Sequence, residues 1–304
     1  MHGQRVLVTG GAGFIGSNLA NHLAAENTVI AIDDGHLGTP THLDDGVEFH
    51  ERSVLDAGLP VEDVDVVYHL AAYSSYTMVE DAKQAATRVN VEGFVNVVEQ
   101  ARKAGCRQIV YASTSSIYGS QTDPSAESMP VTVRTAYEAS KRAREVYAEY
   151  FGAHYDLALA GMRFFSVYQG YGGAEGHKGE YANTVAQFAD AIAAGERPEV
   201  FGDGTQTRDF THVDDVVAAL ELTAEAGLAG IFNVGTGVAT SFNAMITMIN
   251  EALGREIDPV YVANPLPVYV HDTCADASKL QAATGWQPEV DFAEGVRRVC
   301  AAYQ

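Results

Sequence analysis

The feature that most constrains this chain is Thr9-Gly10-Gly11-Ala12-Gly13-Phe14-Ile15-Gly16, a GxxGxxG that directly follows the apolar run Val6-Leu7-Val8 and opens a helical pattern. Gly10 permits a tight turn, Gly13 lets the backbone approach a pyrophosphate, and Gly16 allows close helix–strand packing. Phosphates would sit on the free amides and positive dipole of the helix N-terminus. Glycines alone are a weak signal, because any strand–turn–helix can carry them. The acid expected about 20 residues further on is present as Asp33, at the end of the second apolar run Thr28 to Ile32. A carboxylate there accepts from a ribose 2'-hydroxyl and repels a 2'-phosphate. Asp34 strengthens that bias, and no Arg or Lys follows until Arg52. The pattern favours NAD over NADP.

The rest of the first two-thirds alternates short apolar runs with longer helical patterns. Strands are predicted at Val47 to His50, Val64 to Leu70, Gln108 to Ala112 and Leu157 to Met162. Helices are predicted at Phe14 to Ala25, Ala85 to Ala104 and Ala136 to Gly152. Strands that alternate with helices imply crossovers and a parallel sheet covered on both faces. The fold class is therefore α/β, a doubly wound parallel sheet of Rossmann type.

From about Ser166 the pattern changes. Gly170, Gly172, Gly173, Gly176 and Gly179 cluster in a loop-like stretch. Beyond it, short strands (Glu199 to Phe201, Ile231 to Val234) mix with helices (Ala182 to Ala194, Val213 to Ala226, Ser241 to Leu253). Residues 1–165 are expected to form the dinucleotide-binding domain. Residues 166–304 form mainly a smaller, loop-rich substrate lobe at the sheet's C-terminal side, with some chain returning to the first domain. No linker or repeat separates them.

Tyr137-Glu138-Ala139-Ser140-Lys141 is a YxxxK on a predicted helix. Residues four apart share a helix face, so the phenol and the ammonium become neighbours. A nearby cation, helped by a positive nicotinamide ring, is expected to lower the Tyr pKa. YxxxK also occurs by chance as a solvent-facing pair. Upstream, Ala112-Ser113-Thr114-Ser115-Ser116-Ile117-Tyr118-Gly119 leaves the fifth strand with a hydroxyl cluster, which could equally be turn and cap chemistry. The ordered set of glycine fingerprint, acid, hydroxyl cluster and YxxxK is far more specific than any one member.

At this point the chain resembles an extended short-chain dehydrogenase/reductase of the branch that holds the nucleotide-sugar 4-epimerases. The likeness runs from Val6 to near Phe292, through TGGAGFIG (9–16), HLAA (69–72), NVEG (90–93), STSSIYG (113–119), YEASK (137–141), RFFSVY (163–168), GDGTQTRDFTHVDD (202–215) and FNVGTG (232–237). The resemblance implies that Tyr137 is the catalytic base or acid and that Lys141 tunes it. It implies that Thr114, four residues before the Tyr of the Tyr-Gly pair, is the hydroxyl partner. Gly10, Gly13, Phe14, Ile15, Asp33, Ser53, Val54, Leu70, Ala71, Ala72 and Asn90 would serve the cofactor, with Tyr137 and Lys141. Ser115, Ser166, Arg208 and His271 would serve the substrate, Arg208 by gripping its diphosphate with a guanidinium fork.

The departures from that pattern fall at the ligand sites. Ser53 stands where an adenine-contacting acid is usual, and Ser166 where the pattern has Asn. Gln169-Gly170 replaces Gly-Pro. An RPGD-like segment is replaced by Pro265 to Asp272, and no Arg lies between Arg255 and Arg297, so a second diphosphate Arg is lost. His271 is a partial substitute or an ordinary loop histidine.

The implied reaction is epimerisation of a nucleoside-diphosphate sugar at C4, of UDP-glucose/UDP-galactose type, through a transient 4-keto sugar with NAD recycled in place. A 4,6-dehydratase would need an Asp-Glu pair after Thr114, where Ser115 and Ser116 stand. A uronate epimerase or decarboxylase would want a cation for the sugar carboxylate, and Arg134, His177 and Lys178 are its candidates. A heptose epimerase and a non-catalytic NAD-binding protein are the remaining alternatives.

Forty acids against nineteen bases give a net charge of -21. Nucleic acid and anionic membrane need basic patches, so neither is an expected partner. Such a surface suits a halophilic protein, because self-repulsion keeps it dispersed and salt screens it. No apolar run approaches the roughly 20 residues of a membrane span. Cys106, Cys274 and Cys300 fit no disulfide or zinc spacing, and no metal is expected. The N-terminus runs straight into a strand, so a cytoplasmic protein is expected. A homodimer is expected through the long helices near Ala85 to Ala104 and Ala136 to Gly152, with Tyr147, Tyr150 and Phe151 at the interface or in the core.

Overall fold

A computed structural model describes residues 1–304. The strands are β1 (Arg5–Thr9), β2 (Thr28–Asp33), β3 (Val47–Glu51), β4 (Val66–His69), β5 (Gln108–Thr114), β6 (Ala158–Phe164), β7 (Val167–Tyr168), β8 (Glu199–Phe201), β9 (Thr207–Asp209), β10 (Thr211–His212), β11 (Gly230–Val234), β12 (Ala239–Ser241) and β13 (Val260–Val262). The helices are α1 (Phe14–Ala24), α2 (Tyr76–Asp81), α3 (Lys83–Thr87), α4 (Gly93–Lys103), α5 (Ala136–His154), α6 (Thr184–Ala193), α7 (Val213–Glu225), α8 (Phe242–Leu253), α9 (Ser278–Thr284) and α10 (Phe292–Ala301).

Seven parallel strands form one sheet in the order β11-β6-β5-β4-β1-β2-β3. Val6, Leu7 and Val8 are apolar without alternation because both faces of β1 are buried. Val6 and Val8 point into a core shared with Leu19 and Leu23 of α1 and with Val216 and Leu220 of α7. Leu7 points the other way, with Phe94 and Val97 of α4 and Ala148 and Phe151 of α5. A third core joins α6, α8 and α10 through Phe188, Met245 and Val299. The chain beyond Ser166 thus supplies the smaller lobe, but it also returns β11 and α7 to the sheet.

The strand order reverses between β1 and β4, which leaves a crevice at their C-terminal ends. His69 Nδ1 and Thr9 Oγ1 meet at 2.9 Å across that point, and Thr9 Oγ1 accepts from the Ala71 amide.

The helix expected over Ala85 to Ala104 is broken. Between α3 and α4 the turn Arg88–Glu92 is π-helical. A π turn opens a carbonyl to outside donors, and here the Asn90 carbonyl accepts from Arg144 Nε at 2.6 Å. Glycine at 93 belongs to the same packing, because a Cβ there would sit 2.6 Å from Val54 Cγ2.

Candidate active site

The crevice deepens into a cavity of about 550 Å³. Of the residues singled out from the sequence, Gly10, Gly13, Phe14, Ile15, Asp33, Val54, Leu70, Ala71 and Ala72 line it. So do Thr114, Ser115, Tyr137, Lys141, Ser166 and Arg208. Ser53, Asn90 and His271 do not.

The glycine turn is dictated by backbone proximity. Gly10 has φ +68, and a Cβ there would lie 2.6 Å from the Ala71 nitrogen. A Cβ on Gly16 would lie 2.0 Å from the Gly10 carbonyl, so any side chain would prise α1 off the turn. At the end of β2, Asp33 accepts amide bonds from Ala12 (3.2 Å) and Gly35 (2.9 Å). Burial pushes its carboxyl up, with those amides pulling the other way. The turn, the amides of α1 and Asp33 fit an adenine dinucleotide that bears a free ribose hydroxyl.

Helix α5 presents Tyr137, Lys141 and Arg144 toward the cavity side. Thr135 caps it, its hydroxyl accepting from the Glu138 amide at 3.1 Å. Lys141 Nζ lies 5.9 Å from the Tyr137 ring centroid and donates to the Ala112 carbonyl at 3.5 Å. Opposing influences act on the phenol. Burial pushes Tyr137 up, while hydrogen bonding to Thr114 and the charge of Arg144 pull it back. Burial and Arg144 hold Lys141 well below its ordinary value. Thr114 also caps the 3-10 turn Ser115–Tyr118 by accepting from the Ser116 amide at 3.2 Å. The hydroxyl cluster is therefore turn chemistry and cavity wall together.

Sequence reasoning missed Arg144. It is wholly buried and faces no carboxylate. It donates instead to three carbonyls, Asn90 at 2.6 Å, Ala71 at 2.8 Å and Ala112 at 3.4 Å. Burial pulls its pKa down to about 10. Its spacing of three from Lys141 and seven from Tyr137, which puts all three on one helix face, was the available signal. Asn90 lies behind the wall: its amide side chain holds the Tyr73 backbone at both ends and donates to Ser140. Glu145 was also missed. It accepts from Ser113, Arg142 and, through both oxygens, Arg163, and so ties α5 to β5 and β6.

At the far end of the cavity, Arg208 stacks between Tyr269 (5.2 Å) and Phe242 (5.5 Å). Asp209, its sequence neighbour, is not its partner. That carboxylate instead accepts from Thr236, Gly237 and Ala275 and holds the loop after β11. Arg208 is steered by carbonyls of Thr207 and His271 and makes no direct ion pair, with Asp272 the nearby carboxylate that acts on its charge. His271 contributes through that carbonyl; its imidazole turns to Asp272 at 2.8 Å. Ser166 lines the cavity with φ +25, a left-handed backbone at a non-glycine residue. Ser53 is occupied in its own turn, accepting from Leu55. Arg134 is committed to Glu138 at 2.6 Å and to the Ser116 carbonyl. No group of three His, Cys, Asp or Glu side chains could hold a metal ion.

Fold and cavity together define a Rossmann-type dinucleotide-binding protein whose crevice brings Tyr137, Lys141 and Arg208 to one wall. Comparison with known proteins narrows that class. Residues 6–235 match the NAD dependent epimerase/dehydratase family. A UDP-glucose 4-epimerase of Mycolicibacterium smegmatis is 38% identical over 308 residues, with 97% of each chain covered. A UDP-N-acetylglucosamine 4-epimerase of Methanobrevibacter ruminantium, solved with UDP-N-acetylmuramic acid, superposes with a TM-score of 0.94 at 28% identity, over 100% of this chain and 99% of that one. The UDP-glucose 4-epimerase of Thermus thermophilus, solved with NAD, gives 0.86 at 31% identity and covers 98% of both. The chain belongs to the NAD dependent epimerase/dehydratase family.

Proposed function

We propose that the protein interconverts UDP-glucose and UDP-galactose by epimerisation at C4, with NAD retained in the cavity. The observation that carries this reading is one continuous cavity. It is walled by the Gly10 turn and Asp33, by Tyr137, Lys141 and Thr114, and by Arg208, which makes no direct ion pair. Gly10, Gly13, Phe14, Ile15 and Asp33 would hold the dinucleotide, with Val54 and Leu70 to Ala72 completing its wall. NAD, when bound, would supply a reversible two-electron acceptor. Tyr137 takes the proton of the sugar hydroxyl and later returns it, and the Thr114 hydroxyl holds that oxygen in place. Arg144 supplies the positive charge that favours the phenolate, with Lys141 beside the same ring. Arg208 grips the substrate diphosphate. Ser115 and Ser116 offer no acid for eliminating water, and of the three candidate cations for a uronate Arg134 is already paired with Glu138.

The test is conversion of UDP-galactose, with UDP-N-acetylglucosamine in parallel, followed by NMR of the anomeric protons. Failure of NAD-loaded protein to convert UDP-galactose would contradict the proposal, whatever it does with UDP-N-acetylglucosamine.

The same reading treats residues 1–165 as the cofactor domain and residues 166–304 mainly as the substrate lobe. It expects a cytoplasmic homodimer that pairs through α4 and α5. Val146, Tyr147 and Tyr150 are exposed on α5, whereas Phe151 is core. The charge of -21 supports a salt-requiring protein, whose unfolding temperature should climb with KCl. No helix is long and apolar enough to cross a membrane.

A further inference from the structure

The loop that follows β7 crosses from the smaller lobe to the dinucleotide helix. Gln169 exchanges two amide hydrogen bonds with Asn18 of α1, at 2.9 and 3.1 Å. His177 sits 5.4 Å from His42, which follows β2. The loop is keyed by Glu175, wholly buried, whose two oxygens accept from the amides of Gln169, Gly170 and Asn183. Glu175 is thereby committed to backbone.

Lys178 rides on this strap and lines the main cavity. Its ammonium stands 5.6 Å from the ring centroid of Phe14, the first residue of α1. It has no ion-pair partner, and burial pulls its pKa down, with only Glu175 acting against that. The chain has few lysines (Lys83, Lys103, Lys141, Lys178 and Lys279), and two of them face this one cavity. Nδ1 of His177, another wall residue, is also buried without a partner. A partly buried cation with no direct ion pair is costly unless a ligand supplies the charge. The end of α1 beside it is where amides and dipole favour a diphosphate.

We propose that Lys178 is the counter-ion of the cofactor's diphosphate, carried over the N-terminus of α1 on a strap that Glu175 and Gln169 hold in place. This rests on the NAD reading above. A cation delivered from the smaller lobe would couple that lobe's docking to cofactor retention, which suits a cofactor that is regenerated rather than exchanged. A diphosphate is also present in a nucleotide-sugar substrate, so the test separates the two sources.

The experiment compares wild type, Lys178→Met and Lys178→Arg at one fixed salt concentration. Bound NAD is quantified after purification, its release rate is followed by dilution with an NAD scavenger, and UDP affinity is measured by calorimetry. Thermal unfolding checks the fold of each variant. The proposal expects NAD release at least about tenfold faster in Lys178→Met, most of the loss recovered in Lys178→Arg, and UDP affinity unchanged within about twofold. Unchanged NAD release overturns it, as does weakened UDP binding with NAD release intact. Equal loss in Met and Arg variants of wild-type stability overturns the role of charge. A wild type that carries and binds no NAD would instead overturn the reading on which the proposal rests.

Discussion

The two ends of the cavity are built by different means. At the dinucleotide end the wall is backbone: the Gly10 turn lies against Ala71 so closely that no Cβ fits, and Asp33 receives two amides. Parallel strands buried on both faces set those positions, and they tolerate little change. At the other end the wall is side chain and loop: Arg208 between two aromatic rings, Ser166 in a left-handed backbone, and the segment around Tyr269. The first end defines a cofactor class through geometry that the sheet imposes. The second defines a substrate through contacts that can be exchanged one at a time.

Substitutions at the two ends should therefore fail differently. The largest effect is expected for Gly10→Ala. A methyl 2.6 Å from the Ala71 nitrogen, at φ +68, should abolish retained NAD. It should also lower stability by roughly 1–3 kcal/mol, read by bound-nucleotide assay and thermal melting. Next, Arg208→Met should leave NAD content intact and raise KM for the nucleotide sugar roughly 10–100-fold, with a smaller change in kcat. Arg144→Met addresses the pair between the ends. The Arg144 charge lowers both Tyr137 and Lys141, so its loss lets both rise. The phenolate then forms at higher pH, and the rising limb of the kcat/KM profile should move to higher pH, with Arg144→Lys restoring part of the shift. A purely structural Arg144 would lower activity without moving the limb. The smallest effect is expected for Ser166→Asn. Asparagine tolerates left-handed backbone better than serine, so stability should gain up to about 1 kcal/mol and KM should fall slightly.

The same division governs how much could be read in advance. The parallel sheet, the glycine turn, Asp33 and the Tyr137/Lys141 pair were legible because periodicity and fixed spacing encode them. The break at Arg88–Glu92 was not, since a π turn keeps helical composition and leaves no period of its own. Arg144 and Glu145 were hidden inside an amphipathic helix whose charges read as a solvated face, yet both are buried. His271 shows a contact that residue type does not announce: its carbonyl steers Arg208 while its imidazole meets Asp272. Loop contacts such as Gln169 with Asn18 join residues 151 positions apart, a pairing that no local pattern announces.

The central claim is that Tyr137 moves the proton of the sugar hydroxyl while NAD stays bound. The most direct measurement is NMR-monitored conversion of UDP-galactose to UDP-glucose by the NAD-loaded protein, beside Tyr137→Phe with equal NAD content. The account predicts equilibration of the two sugars by the wild type without net consumption of NAD, and a loss of roughly 10²–10⁴-fold in the variant. Undiminished conversion by Tyr137→Phe would contradict it.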